Sequence, residues 1–99
     1  MSDTRVAETI LKQLGGNRFL AMTGSYQLVA GKNLLAMKLR RNRSKANYLR
    51  ITLNGKDLYD VQFTSIRGTS MKVKSEFYDL YWDQLRQIFE EVTGFYTSL

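Results

Sequence analysis

The apolar residues of this chain change period twice, and that change restricts its fold more than any other feature. Over residues 4–14, Val6, Ile10 and Leu14 recur every four positions, and Ala7 and Leu11 widen the stripe. This spacing predicts an amphipathic helix. The middle of the chain shifts to alternation between apolar and polar positions, the period of strands. From about Leu80 the helical period returns, with Tyr81, Leu85, Ile88, Phe89 and Val92 on one stripe and Gln84, Arg86, Gln87, Glu90 and Glu91 off it. A helix at each end of a strand-rich middle predicts an α+β fold.

Turn chemistry divides the segments. Ser2 or Asp3 is expected to cap the first helix and Gly15-Gly16 to stop it, since glycine takes the left-handed backbone that closes a helix. Arg18–Thr23 is a first strand candidate, although Phe19-Leu20-Ala21-Met22 is apolar on both faces. Tyr26–Ala30 and Leu34–Arg40 read as a hairpin across Gly31-Lys32-Asn33, and residues 41–47 as a basic loop. Tyr48–Leu53 alternates cleanly, with Leu49, Ile51 and Leu53 inward. Asn54-Gly55 then predicts a tight type I′ turn into a strand over Asp57–Ser65, with Tyr59, Val61 and Phe63 inward. After Gly68-Thr69-Ser70, a last strand over Met71–Phe77 is expected to point Met71, Val73 and Phe77 inward. Asp79 is the expected cap of the final helix and Gly94 its stop, with the tail from Phe95 to Leu99 folding back. Trp82 is expected to be half-buried packing beside the final stripe. The simplest topology is an antiparallel meander of five to six strands, with the N- and C-terminal helices packed on one face.

Ninety-nine residues suit one domain, and a hydrophobic share of 43% suits a packed core. There is no cysteine, which excludes disulfides and thiolate metal sites, and no histidine. Met1–Glu8 has no apolar run of the signal-peptide kind, and no stretch of ~18 apolar residues offers a membrane span. A cytoplasmic protein that does not engage membranes is the expectation.

The net charge of +6 is unevenly placed. No acidic residue falls between Glu8 and Asp57, a stretch that holds ten cations; from Asp57 onward seven acids face four bases. A one-signed field over half a small protein attracts polyanions. The densest cations are Lys38, Arg40, Arg41, Arg43, Lys45 and Arg50, with Tyr48 among them. Arginines suit bidentate phosphate contact and a tyrosine suits base stacking, so these seven residues are the candidate nucleic-acid site. Tyr48, Arg50, Thr52, Lys72 and Lys74 are also expected to share the open face of the sheet. Docking on an acidic protein surface, or simple solvation of the loop, explains the same run.

Catalysis has little to work with. Without His or Cys the usual general base, thiol nucleophile and imidazole ligand are missing. Asp57 and Asp60, three apart on a strand, point to opposite faces. Asp79 and Asp83 are explained by the helix entry, and Gly15-Gly16 reads as a helix stop and not a phosphate cradle. A non-enzymatic protein without a cofactor or metal is expected.

Leu14-Gly15-Gly16-Asn17-Arg18-Phe19 with Met22-Thr23-Gly24 resembles the opening of small uncharacterised proteins of tailed phages and prophages. Ile51-Thr52-Leu53-Asn54-Gly55, Leu58-Tyr59-Asp60-Val61 and the ending Glu91-Val92-Thr93-Gly94-Phe95-Tyr96-Thr97 are similar to the same group. The resemblance spans most of the chain and implies a viral accessory protein in a bacterial cytoplasm; it supplies no catalytic residues. Three roles remain open: a binder of nucleic acid with little sequence preference, a protein-interaction module or inhibitor docking on an acidic bacterial surface, and a structural virion or assembly component. A monomer or small homo-oligomer is expected in each.

Overall fold

A computed structural model of the protein describes residues 4–95. The expected cap at Ser2 or Asp3 and the tail beyond Phe95 lie outside these residues. Helices α1 (Arg5–Leu14) and α2 (Gly16–Thr23) precede strands β1 (Tyr26–Ala30), β2 (Leu34–Lys38), β3 (Tyr48–Leu53), β4 (Tyr59–Arg67) and β5 (Ser70–Leu80). A single 3₁₀ turn, Trp82–Gln84, leads into α3 (Leu85–Thr93). The strands form one antiparallel sheet in the order β1-β2-β3-β4-β5, a meander with β1 and β5 at its edges. No helix of the described residues is long and apolar enough to cross a membrane.

The strand candidate at Arg18–Thr23 is corrected to a helix. Four successive apolar residues carry no period of their own, and Leu, Ala and Met favour helix. The helical turn buries Phe19 and Thr23 on one side, tucks Leu20 against the core and leaves Asn17, Arg18 and Ala21 outside. Gly15-Gly16 therefore does two jobs: it closes α1, its N–H bonding the Leu11 and Lys12 carbonyls, and it opens α2.

The helices share one face of the sheet. Leu35, Met37, Leu49, Ile51, Tyr59, Val61 and Phe63 project toward them, and alternation sends Ala36, Lys38, Tyr48, Arg50 and Thr52 to the outer face. Phe89 of α3 meets Phe19 of α2 edge-on at 4.8 Å and Phe63 of β4 at 6.3 Å. Three elements distant in sequence thus close one core, to which Ala7, Ile10 and Leu14 of α1 add.

Three other expectations change. The turn after Leu53 is longer than a two-residue type I′ loop, for Leu53 pairs with Tyr59 and five residues lie between. Asn54 N–H bonds the Leu58 carbonyl, Asp57 N–H bonds the Asn54 carbonyl, and the positive φ falls on Asp57, not on Gly55. The Asn54 side chain decides this: its Oδ1 accepts from Lys56 N–H at 2.8 Å and its Nδ2 donates to Asp60 and Asp79. Next, β5 carries a bulge. Phe63 pairs with Ser75 but Thr64 with Val73, so Lys74 is the extra residue and the faces exchange below it. Met71, 66% exposed, and Val73 consequently lie on the outer face with Thr64 and Ile66, not inward. Finally, β5 runs on through Leu80, where a helix start was expected. Asp79 does not cap the helix; its carboxylate takes the Lys56 ammonium at 3.1 Å. Tyr81, 62% exposed, leaves the stripe, and Trp82, 59% exposed, is not the half-buried packing expected beside it, while Leu85, Phe89 and, in part, Ile88 and Val92 keep the stripe.

Candidate nucleic-acid interface

The antiparallel order brings together at one end of the sheet the finish of β2 and β4 and the start of β3 and β5. Residues 39–47 cross this end. They do not project freely. Leu39 and Ala46 are buried, Leu39 N–H bonds the Asn47 carbonyl at 2.9 Å, and Asn47 N–H bonds that of Thr64 at 2.9 Å. Asn42 organises the interior of the loop: its Nδ2 donates to the Arg40 and Ala46 carbonyls, both at 2.8 Å, and its Oδ1 accepts from the Ser44 backbone N–H and hydroxyl. The Asn47 amide pairs with both backbone groups of Ile66 at 2.8 Å, tying the loop to β4.

Two of the candidate arginines anchor the loop to helix ends. Arg40 Nε donates to the carbonyl of Gly24, the left-handed residue that closes α2, at 3.1 Å. The same guanidinium lies 4.2 Å over the Tyr26 ring. Arg43 Nη2 donates to the Glu91 carbonyl, its backbone N–H reaches the Thr93 carbonyl, and its side chain packs against Gly94 at the end of α3. Unpaired carbonyls give a helix C-terminus partial negative charge, so a guanidinium there satisfies acceptors and complements the dipole. Arg43 also shares a surface hollow with Glu90 and Glu91, which lowers the local positive potential.

The remaining cations of this end are different. Arg41, Lys45 and the two anchoring arginines line an open concavity of about 700 Å³ that also takes in Arg67. A neighbouring hollow of about 240 Å³ is lined by Lys45 and Arg67 again, together with Lys72 and Lys74. The two hollows share Lys45 and Arg67, so the cations form one continuous tract. Among the described residues no ion pair engages Arg41, Lys45, Arg67, Lys72 or Lys74.

Of the seven candidates, the structure thus gathers Arg40, Arg41, Arg43 and Lys45 and separates Lys38, Tyr48 and Arg50. Lys38 and half-buried Tyr48 are paired neighbours on the outer face. Arg50 lies there in the row Ala36–Arg50–Gln62–Glu76 and lines a small hollow with Asp60, Glu76 and Tyr78. Lys72 does not share that face as expected: the bulge at Lys74 pairs it with Ser65 on the helix side. Arg67, Lys72 and Lys74 were no part of the candidate site. Lys72 and Lys74 gave only an outward position after a glycine turn and Arg67 gave no signal, and neither says which loop they adjoin.

The opposite end of the sheet carries Asp57, Asp60, Asp79 and Asp83 around the Asn54 turn and the close of β5. Lys56, paired to Asp79, and Lys32 in the β1–β2 turn offset part of that negative charge. Among the described residues no three carboxylates gather closely enough to hold a metal ion. Burial pushes the Tyr59 hydroxyl above its usual 10.0, opposed in part by the neighbouring Gln13 side chain. Comparison with protein-family models, curated proteins and solved structures gave no match for this chain.

Proposed function

We propose that the protein is a non-enzymatic accessory protein that binds nucleic acid through its basic end, with little sequence preference. The observation that carries this is the tract of Arg41, Lys45, Arg67, Lys72 and Lys74 along two joined hollows, with no ion pair among the described residues to offset it. Uncompensated cations on a concave surface raise local anion concentration, and phosphate binding releases condensed counterions. The resemblance of the chain's opening and ending to tailed-phage proteins supports a viral setting.

Titration of the full chain against labelled DNA over a salt series tests the reading. With about four to five phosphates engaged, log K falls against log salt with a slope near −4. Replacing Arg41, Lys45 and Arg67 together with Ala abolishes binding at moderate salt and leaves the stability within about 0.5 kcal/mol, since all three side chains are exposed and none makes a described hydrogen bond or ion pair. Retained binding in that variant, or none by the natural chain at low salt, overturns the proposal.

One observation favours a second reading. Ile66, Met71 and Val73 form an exposed apolar strip on the outer face beside the basic end. An acidic protein surface with an apolar border would use both. A stoichiometric protein partner retained from nuclease-treated host lysate, and lost on Met71→Lys, supports that alternative over nucleic acid.

A further inference from the structure

We infer that the basic end grips a double helix by its phosphates, and reads neither base edges nor unpaired bases. This rests on the nucleic-acid reading above and specifies its ligand.

Recognition of unpaired strands depends on aromatic platforms for the bases. Among the described residues, neither hollow has an aromatic side chain in its wall. The described aromatics nearby are committed elsewhere: Phe95, which shares a hollow with Arg43, is partly buried against the core. Tyr26 has the Arg40 guanidinium over its ring, and Tyr48 is half-buried on the outer face. Tyr78, Tyr81 and Trp82 are well exposed, but they follow the far half of β5, toward the acidic end. A single strand lying along the tract would find cations and, among the described residues, no aromatic ring to stack on.

Base-edge reading fails for a separate reason. Asn recognises adenine by presenting Oδ1 and Nδ2 together, and Arg recognises guanine with a held fork. Asn42 spends both amide hydrogens and its oxygen inside the loop. Asn47 presents its Oδ1 and Nδ2 to Ile66. Arg40 and Arg43 are turned to helix carbonyls. Arg41 and Arg67 remain, and no described hydrogen bond fixes either guanidinium. Mobile cations neutralise phosphates well and discriminate bases poorly. A duplex, with the denser line of phosphates, is the ligand that suits such a tract.

The test uses the full chain with a short blunt DNA duplex, each of its strands alone, and a second duplex of unrelated sequence. The duplexes should bind alike and more tightly than either strand. Lys72→Ala with Lys74→Ala should make the salt slope shallower by about 2, one phosphate each. A strand bound as tightly as its duplex, or the two duplexes bound unequally, overturns this inference and leaves nucleic-acid binding standing. An unchanged slope in the double variant removes Lys72 and Lys74 from the tract and overturns it likewise. Binding of neither duplex nor strand at low salt overturns this inference and the proposed function together.

Discussion

Arg40 and Arg43 stand three positions apart in one loop, yet each reaches a different helix. Both use the same physics, a delocalised cation on carbonyls that the helix itself leaves unpaired. Gly24 belongs to that arrangement. Its φ of 68° is left-handed, and a Cβ there would come within 2.9 Å of Arg40 Cγ. Gly24→Ala is expected to destabilise the protein by about 1–2 kcal/mol, from the left-handed backbone and the displaced arginine, seen as a lowered denaturant midpoint. Arg41, between the two anchors, bonds to nothing described, so adjacent residues of one chemical type have different work. Tyr59 carries a prediction in pH. Its folded pKa lies above the unfolded 10.0, so the folded state holds the proton more tightly. Stability from this group is complete below pH 10 and is lost as pH rises through the raised value. Melting of Tyr59→Phe against the natural chain should show the smaller decline above pH 10.

At the scale of elements, the loop of residues 39–47 is a fixed structure held by amide side chains. Asn42→Ala removes four hydrogen bonds and leaves the Ala46 carbonyl, on a buried residue, without its partner. A loss of about 2 kcal/mol is expected, with faster amide exchange at Ser44 and Ala46, whose N–H groups are bonded within the loop. The bulge in β5 matters as much. One extra residue turns Lys72 to the helix side and Met71 and Val73 to the outer face. Neither outcome follows from alternation, because Met71–Phe77 alternates well without a bulge. The β3–β4 turn is a similar case: Asn-Gly is the usual signature of a two-residue turn, but Asn54 instead binds Asp60, Asp79 and the Lys56 backbone. A competing set of bonds from across the sheet outweighs a local preference.

For the whole molecule, one core joins the helix layer to the sheet at Phe89, which touches rings from α2 and β4 and is 1% exposed. Phe89→Ala is expected to cost about 3–5 kcal/mol, read from denaturant unfolding, because it empties the junction of three elements. The same layered arrangement sorts charge. Antiparallel strands return the chain to each end repeatedly, so the basic segments at 40–45, 67 and 72–74 share one end while Asp57, Asp60, Asp79 and Asp83 share the other. The expected set of six cations and Tyr48 thus resolves into a differently composed one: Lys38, Tyr48 and Arg50 face away, and Arg67, Lys72 and Lys74 join.

Properties that depend on neighbours in the chain were determined by the sequence alone. The terminal helices, the hairpins, the inward row of Leu49, Ile51, Tyr59, Val61 and Phe63, and Gly94 as a stop follow from periodicity and backbone freedom over a few residues. The tertiary structure alone decided which cations converge, that Arg40 and Arg43 serve helix ends, and that Arg18–Thr23 coils. Those outcomes turn on strand register and on contacts between residues far apart in sequence. A single bulge changes which side of a sheet a lysine occupies, and no local pattern carries that information.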